Sequence, residues 1–287
     1  MNKGVLIFAH NSRDVDYALL ALVSGYQAAK NLQVPVSLAT DIHTVEWMQT
    51  SNLYEKAEKI FDKIITVEKP VTSSVRRLND GTYHNKIVPF INNNRASAWD
   101  ITPYDRTLLI DADYFIFSKN MSEYWNYDSE IMIAAEMIDI RGDRLGTLDR
   151  WVSDTGIPLR WATTVMFTKN HNTKIFFDLV NFIKDNYEYY SDLFRFDPRT
   201  FRNDIAFSIA FHILDGFEVQ KESLLPGVLT IQDKDLIHSI SKMGVVSLIN
   251  DLTPQDKSIL SSVKNRDVHI MNKQAVIRLA NDILEKV

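Results

Sequence analysis

The apolar positions of the first third of the chain fall into short blocks of two kinds, and the kinds alternate. Residues 5–9 form a compact apolar run of strand length, while residues 14–32 space Tyr17, Leu20, Ala21 and Val23 at helical intervals. A second strand-length run covers 34–39, an amphipathic stretch covers 53–61, and a third strand covers 64–67. Strand-helix alternation of this sort predicts a parallel α/β sheet with right-handed crossovers. Ligands of such sheets gather at the carboxyl ends of the strands.

Further along, 94–99 reads as a short helix ending before Thr102-Pro103, and 107–110 as a strand. Strands are expected at 131–135 and 164–168. Helices are expected at 173–189, with Ile175, Phe176, Leu179, Val180 and Ile183 as the buried stripe, at 203–214 and at 273–286. No linker-like composition and no internal repeat interrupts the series, which predicts one continuous domain over 1–287.

An apolar fraction of 45% over 287 residues is enough for a sizeable core. The opening MNKGVLIFAHNSRD turns polar directly after its apolar run and lacks a small-residue cleavage site, so it reads as a first strand rather than a signal peptide. No stretch approaches the ~18 uninterrupted apolar residues of a membrane span. Without cysteine there are no disulfides and no thiolate metal sites, which agrees with a reducing compartment and an expected cytoplasmic location. The formal net charge of -5 gives no general attraction to polyanions.

Against this background the segment TLLIDADYFIF, residues 107–117, is unusual: two aspartates interrupt an otherwise apolar run. Side chains alternate along a strand, so Asp111 and Asp113 face the same way. Two like charges repel unless a cation or protons lie between them. Hard carboxylate oxygens suit Mg²⁺ or Mn²⁺, which take their remaining ligands from substrate phosphates. The other D-x-D triplets differ in context. Asp14 and Asp16 open a helix, where carboxylates favour the macrodipole, and Asp233 and Asp235 bracket a lysine in an expected solvated turn.

The strand-D-x-D context of TLLIDADYFIF resembles the metal-binding motif of GT-A fold glycosyltransferases, which use it to hold a nucleotide-sugar diphosphate. NNNRASAW upstream, FRNDIAFSIA downstream and VHIMNK near the C-terminus fall in the order that fold expects. VHIMNK is similar to the H-x-x-G-x-x-K element of family 8 glycosyltransferases. It departs from that pattern with Asn272 in place of the glycine and a lysine two residues early.

The resemblance implies an α/β, GT-A-like fold with a mixed, mostly parallel central sheet flanked by helices. About 1–120 would form the nucleotide-sugar half and about 121–287 the acceptor half with the metal-completing C-terminus. It implies a metal site of Asp111, Asp113 and His269 holding Mn²⁺ or Mg²⁺. Lys273 and Arg95 would grip the donor diphosphate, Asp111 the ribose, and His10 and Asn11 the base and ribose. Asp204, beside Asn203, would face the sugar or the acceptor. The strand WATTVMF, 161–167, resembles the one set beside the donor sugar.

The implied reaction moves a sugar from a nucleoside-diphosphate sugar, a UDP-sugar foremost, to an acceptor hydroxyl, with a leaning toward retention. The acceptor is a glycan, a small molecule or a hydroxymethylated base, because ITPYDRTLLIDADYFIF also resembles phage-encoded transferases, for which the location is a host cytoplasm. Arg141, Arg144, Arg150 and Arg160 with Trp151 and Trp161, and separately Arg195, Arg199 and Arg202, are the basic clusters that would meet a phosphorylated or nucleic-acid acceptor.

Simpler accounts stay open for each residue. Arg95 could be a solvated helix arginine, His269 a surface histidine, His10 and Asn11 loop caps, and Asp204 a first-turn carboxylate. Two other functions stay open as well. One is a nucleotide-sugar binding protein with a degenerate site. The other is a haloacid-dehalogenase-like phosphatase, although that family wants a threonine or valine where Phe115 stands.

Overall fold

The structure, a computed structural model, describes residues 1–70, 74–81, 84–91, 94–140, 150–154, 156–216, 224–241, 243–250 and 258–285. It opens with β1 (Lys3–Phe8), α1 (Tyr17–Leu32), β2 (Val36–Thr40), α2 (Ile42–Thr50), α3 (Tyr54–Ile60) and β3 (Lys63–Thr66). β1 pairs in parallel with β2, and β2 with β3, as the alternation requires. Asp16 starts α1 by accepting a hydrogen bond from the Leu19 amide at 2.9 Å, and Gln33 ends it in the left-handed region at φ 56°.

The hairpin of β4 (Val75–Asp80) and β5 (His84–Pro89) stands outside the central sheet. A 3-10 turn over Arg95–Ser97 leads into the single turn α4 (Ala98–Ile101), and β6 (Arg106–Asp111) then inserts beside β1 in parallel. β7 (Tyr114–Phe115), β8 (Ile131–Ala134), β9 (Met137–Asp139) and β10 (Trp161–Thr168) follow. The helices α5 (His171–Asp185), α6 (Tyr187–Phe194) and α7 (Asn203–Leu214) precede β11 (Leu224–Leu225) and β12 (Val228–Ile231). β13 (Leu236–Ser241), β14 (Gly244–Asn250) and β15 (Ser258–Lys264) make an antiparallel meander, and β16 (Val268–Ile270) and α8 (Lys273–Leu284) close the described chain.

The central sheet runs β11-β8-β10-β6-β1-β2-β3. β10 is antiparallel to both β6 and β8, and the other pairings are parallel. The fold is therefore mixed α/β with a mostly parallel sheet flanked by helices. A second sheet, β7-β16-β12-β9, meets the first at the carboxyl edge of β6. That edge is where the acidic motif emerges.

The core explains the strands expected from the sequence. In β6 every residue from Arg106 to Ile110 is buried, and the Arg106 guanidinium donates through Nη1 to the Thr168 hydroxyl at 2.9 Å and through Nη2 to the Tyr124 carbonyl at 3.1 Å. Two expectations differ from what is observed. The expected helix over 173–189 is two helices broken at Asn186, whose backbone leaves the helical region at φ -117° and ψ 34°. Its buried stripe also shifts: Phe176, Phe177, Val180 and Ile183 face inward, whereas Ile175 is exposed.

Gly4 marks one close approach in the sheet. A Cβ there would lie 2.4 Å from the Tyr104 ring, whose hydroxyl is 2.6 Å from Ser37 Oγ and whose pKa burial pushes up to about 12. Gly4→Ala is expected to overpack this contact and cost about 1–3 kcal/mol, read as a lowered thermal midpoint. An unchanged midpoint would show that the ring moves aside freely.

Candidate active site

β6 delivers Asp111 to the sheet edge level with Phe8 of β1, and the chain then turns through Ala112 and Asp113 into β7. β16 pairs antiparallel with β7, setting His269 opposite Tyr114, while the Ile270 amide donates to the Asp113 carbonyl at 2.9 Å. This pairing carries an imidazole from the far end of the chain to the acidic pair. Ligand atoms of Asp111, Asp113 and His269 lie within 4.8 Å of one another, with His269 Nε2 3.2 Å from Asp113 Oδ1.

Lys273 reaches the same place from the first turn of α8. Asn272 caps that helix, accepting from the Ala275 amide at 3.0 Å while its own amide group donates to the Asp235 carbonyl at 2.9 Å. Its φ of -77° is one that any residue adopts, so nothing in the backbone here calls for glycine. The Lys273 ammonium contacts Asp113 Oδ2 directly. Arg95 does the equivalent for Asp111, with Nη1 2.6 Å from Oδ1. It is a buried residue, 2% exposed, rather than a solvated helix arginine.

The two carboxyls are thereby driven apart in acidity. Burial raises the pKa of Asp111, aided by the neighbouring Asp113 and Asp204 charges and opposed by Arg95 and His269. Burial also acts to raise Asp113, but Lys273 and His269 together outweigh it and hold that carboxyl well below the ordinary range. Two carboxylates and an imidazole fit Mn²⁺ or Mg²⁺ as a donor set. The Nδ1 of His269 and the Nε and Nη2 of Arg95 are buried and find no hydrogen-bond partner among the described residues, so the site retains unused polar capacity.

These groups line a cleft of about 480 Å³. Asn203 and Asp204 line it too, from the start of α7. Asp204 Oδ1 accepts from the Ala162 amide at 2.8 Å and Oδ2 meets Arg202 Nη2 at 3.4 Å, so the residue braces β10 as well as facing the cleft. Trp161 and Thr163 of β10 form the adjoining wall, with the Arg202 guanidinium 5.6 Å from the Trp161 ring.

His10 and Asn11 are not among the residues lining this cleft. His10 is 2% exposed, with Nδ1 3.0 Å from Asp41 and Nε2 3.1 Å from the Asn94 amide group. A carboxylate on one side and an amide donor on the other fix the neutral Nδ1–H tautomer. His10 therefore braces the turn that carries Arg95. Asn11 is committed to the loop, accepting from the Ala18 amide at 2.7 Å and donating its own amide to Thr44 Oγ1 at 2.8 Å.

Of the basic clusters, Arg141 and Arg144 lie outside the described residues. Arg150 and Trp151 are exposed, and Arg160 is half-buried near Asp215. Arg199 pairs with Asp197, Arg195 is exposed at the end of α6, and Arg202 turns into the cleft. The second cluster is therefore not one surface. Asp233 is in the turn expected for it, accepting from Asn79 at 2.7 Å, but Asp235 is buried at 9% exposure rather than solvated. Sequence reasoning missed Tyr17, Arg76 and Phe90, which also line the cleft. The one available signal was the alternation in VRRLND, which turns one of two adjacent arginines inward.

No family model matches the chain, and no curated protein matches it. Among solved structures, the chain is similar to the glycosyltransferase GlyE of Streptococcus pneumoniae TIGR4, at 13% identity over 78% of this chain and 45% of that one, with a TM-score of 0.40. The galactosyltransferase LgtC, in complex with donor and acceptor sugar analogs, aligns at 11% identity over 72% and 70% of the two chains, with a TM-score of 0.41. Mouse xyloside xylosyltransferase 1 aligns at 10% identity over 79% and 86%, with a TM-score of 0.43. The chain spans less than half the length of GlyE. The chemistry of the cleft is read from its side chains.

Burial lowers the pKa of His10 from 6.5 despite the opposing pull of Asp41 and Asn94. Below about pH 6.5 the unfolded chain then binds a proton that the folded one refuses, so stability falls as pH drops from there toward the lowered value. Asp41, whose pKa is also lowered, adds a loss only as pH falls through and below 3.8. Chemical unfolding at pH 7.5 and 5.5 is expected to show the first effect, at most about 1.4 kcal/mol per pH unit. His10→Asn should flatten it, and an equal slope in the variant would assign the pH dependence to other groups.

Proposed function

We infer that the protein is a metal-dependent glycosyltransferase of GT-A type, moving a sugar from a nucleoside-diphosphate sugar to an acceptor hydroxyl. The observation that carries this reading is the meeting of Asp111, Asp113 and His269 at the carboxyl edge of the central sheet, inside a cleft that also holds Lys273 and Asp204. In it, about 1–120 supplies the nucleotide-sugar half, and about 121–287 supplies the acceptor side together with His269 and Lys273.

Asp111, Asp113 and His269 would hold Mn²⁺ or Mg²⁺, which when bound neutralises charge on the departing diphosphate. Arg95 fixes Asp111 through its 2.6 Å hydrogen bond and keeps that carboxyl oriented. Lys273 brings a second positive charge to the diphosphate side, on a first-turn position that Asn272 holds in place. Asp204 is oriented by the Ala162 amide, leaving Oδ2, which among the described residues meets Arg202 at 3.4 Å, to accept a hydrogen bond or a proton from a hydroxyl. Asn203 stands beside it and orients the same ligand. His10 acts at one remove, through Asn94, by bracing the turn of Arg95. With Arg199 paired and Arg202 in the cleft, a glycan or small-molecule acceptor is preferred to a modified base in DNA.

One observation favours a second reading, a nucleotide-sugar binding protein without catalysis: Arg95 and Lys273 already neutralise both carboxylates. Thermal unfolding with uridine diphosphate separates the two when combined with donor hydrolysis. Uridine diphosphate at about 100-fold over its dissociation constant should stabilise the protein by about 2.7 kcal/mol with Mn²⁺ and much less with EDTA. Asp113→Asn should abolish the metal-dependent part. A catalyst also leaks sugar to water and releases free nucleotide from a UDP-sugar, whereas a binder does not. Stabilisation that ignores both EDTA and Asp113→Asn would remove the metal-bridged reading.

A further inference from the structure

Arg76 differs from every other described cation in the cleft. It lies on β4, with its guanidinium 5.4 Å from the Phe90 ring and 6.0 Å from the Tyr17 ring, and Nη2 donates to the Tyr17 hydroxyl. Arg95 is engaged with Asp111, Lys273 with Asp113 and Arg202 with Asp204. Among the described residues no carboxylate pairs with Arg76. A half-buried guanidinium bordered by two aromatic rings is fixed in orientation and partly desolvated, yet most of its N–H donors are taken up by no described residue.

Packing alone does not account for that arrangement, because the hairpin is fastened without it. The Gly81 amide donates to the Asp233 carbonyl at 3.0 Å, Arg278 grips Asp80 at 2.6 and 2.9 Å, Lys86 pairs with Asp14 at 2.6 Å, and the Thr200 hydroxyl donates to the Val75 carbonyl at 3.2 Å. A charge placed in a cleft beside a divalent-cation donor set, with no carboxylate among the described residues to answer it, is suited to an oxyanion; its planar fork matches phosphate as well as carboxylate, and the neighbouring cation site selects phosphate.

We propose that Arg76 binds a phosphate group in this cleft and that the β4–β5 hairpin is thereby a wall of the donor site. The assignment to a nucleoside diphosphate rests on the glycosyltransferase reading above; the phosphate site itself does not. Tyr17 places Arg76 on the nucleotide side, since it opens α1 directly after the loop that follows β1. Phe90 and Tyr17 orient the fork and exclude water from its faces.

The test is isothermal titration of the full chain with three probes in Mg²⁺: inorganic pyrophosphate, uridine diphosphate and glucose 6-phosphate. Arg76→Gln is expected to weaken pyrophosphate and uridine diphosphate by at least about tenfold, the scale of one charge-assisted hydrogen bond, with little change in thermal midpoint. Arg76→Lys, which keeps the charge and loses the fork, should fall between the two; if the glutamine variant does not fold, this variant carries the comparison. Equal affinity of wild type and variants for uridine diphosphate overturns the role of Arg76 and leaves the glycosyltransferase reading standing. Arg76-dependent binding of pyrophosphate, with none of uridine diphosphate, upholds the phosphate site and removes the nucleotide. Dependence confined to glucose 6-phosphate moves the anion to the acceptor and overturns the donor assignment. A wild type that binds none of the three overturns both proposals.

Discussion

The antiparallel pairing of β7 with β16 is the contact on which the site depends. Two residues of each strand pair, and the Ile270 amide extends the ladder onto the Asp113 carbonyl, so the backbone of the acidic turn and the backbone around His269 are one structure. Both sides of that small ladder are tied down. Ser24 and Asn31 of α1 donate to the Tyr114 and Ile116 carbonyls at 2.7 Å each, and Asp267 accepts from the Phe117 and Ser118 amides at 3.0 and 2.9 Å. Thr230 of β12 donates to the His269 carbonyl at 3.1 Å. A short strand pair has little stability of its own; here the carbonyls along it anchor a helix and a third strand, and the amides that follow β7 anchor the loop of Asp267. The geometry between Asp113 and His269 is therefore set by backbone, which leaves the side chains free to be chosen for chemistry.

Charge balance is the second constraint. Carboxylates this buried are tolerated only with partners, since a buried charge deprived of its partner costs several kcal/mol. Each of the two has its own cation: Arg95 from the turn before β6 and Lys273 from the first turn of α8. The assignment of one cation to each carboxyl also explains their opposite shifts in acidity. Asp113 has the direct contacts of both Lys273 and His269 against its burial, while Asp111 has Arg95 and the more distant His269 charge against burial plus the Asp113 and Asp204 charges.

Much of this was legible in the chain because the relevant signals are strong and local. Apolar runs of strand length fixed β1, β2 and β6 to within a residue or two, and the break from apolar to acidic at Asp111 located the sheet edge. His269 and Lys273 could be tied to that edge only through a family likeness, since no periodicity in VHIMNK announces that Val268–Ile270 is a strand paired with Tyr114–Phe115. Where the sequence misled, non-local packing decided. The helical pattern of 173–189 runs through Asn186 without interruption, yet the chain breaks there, and Tyr187 turns to pack on Phe196 and Phe201. His10 looks like a strand-end ligand in one dimension, and only the fold reveals Asp41 and Asn94 on either side of its ring.

The walls of the cleft owe their positions to different forces, which is why one was readable and the other was not. The sheet edge is fixed by apolar burial, a property written in β1, β6 and β10 themselves. The hairpin opposite buries only Leu78 and Val88 from its two strands and is otherwise held by hydrogen bonds and ion pairs to Asp233, Arg278, Asp14 and Thr200. Those partners are scattered over the chain, and each such polar contact contributes about 1 kcal/mol or less. No single one leaves a pattern, yet together they set the strand from which Arg76 points inward. Tyr17 and Phe90, from the start of α1 and the exit of the hairpin, then meet on its guanidinium. The placement of that side chain is thus determined twice, by the strand that carries it and by the rings that receive it, and neither determination is visible without the fold.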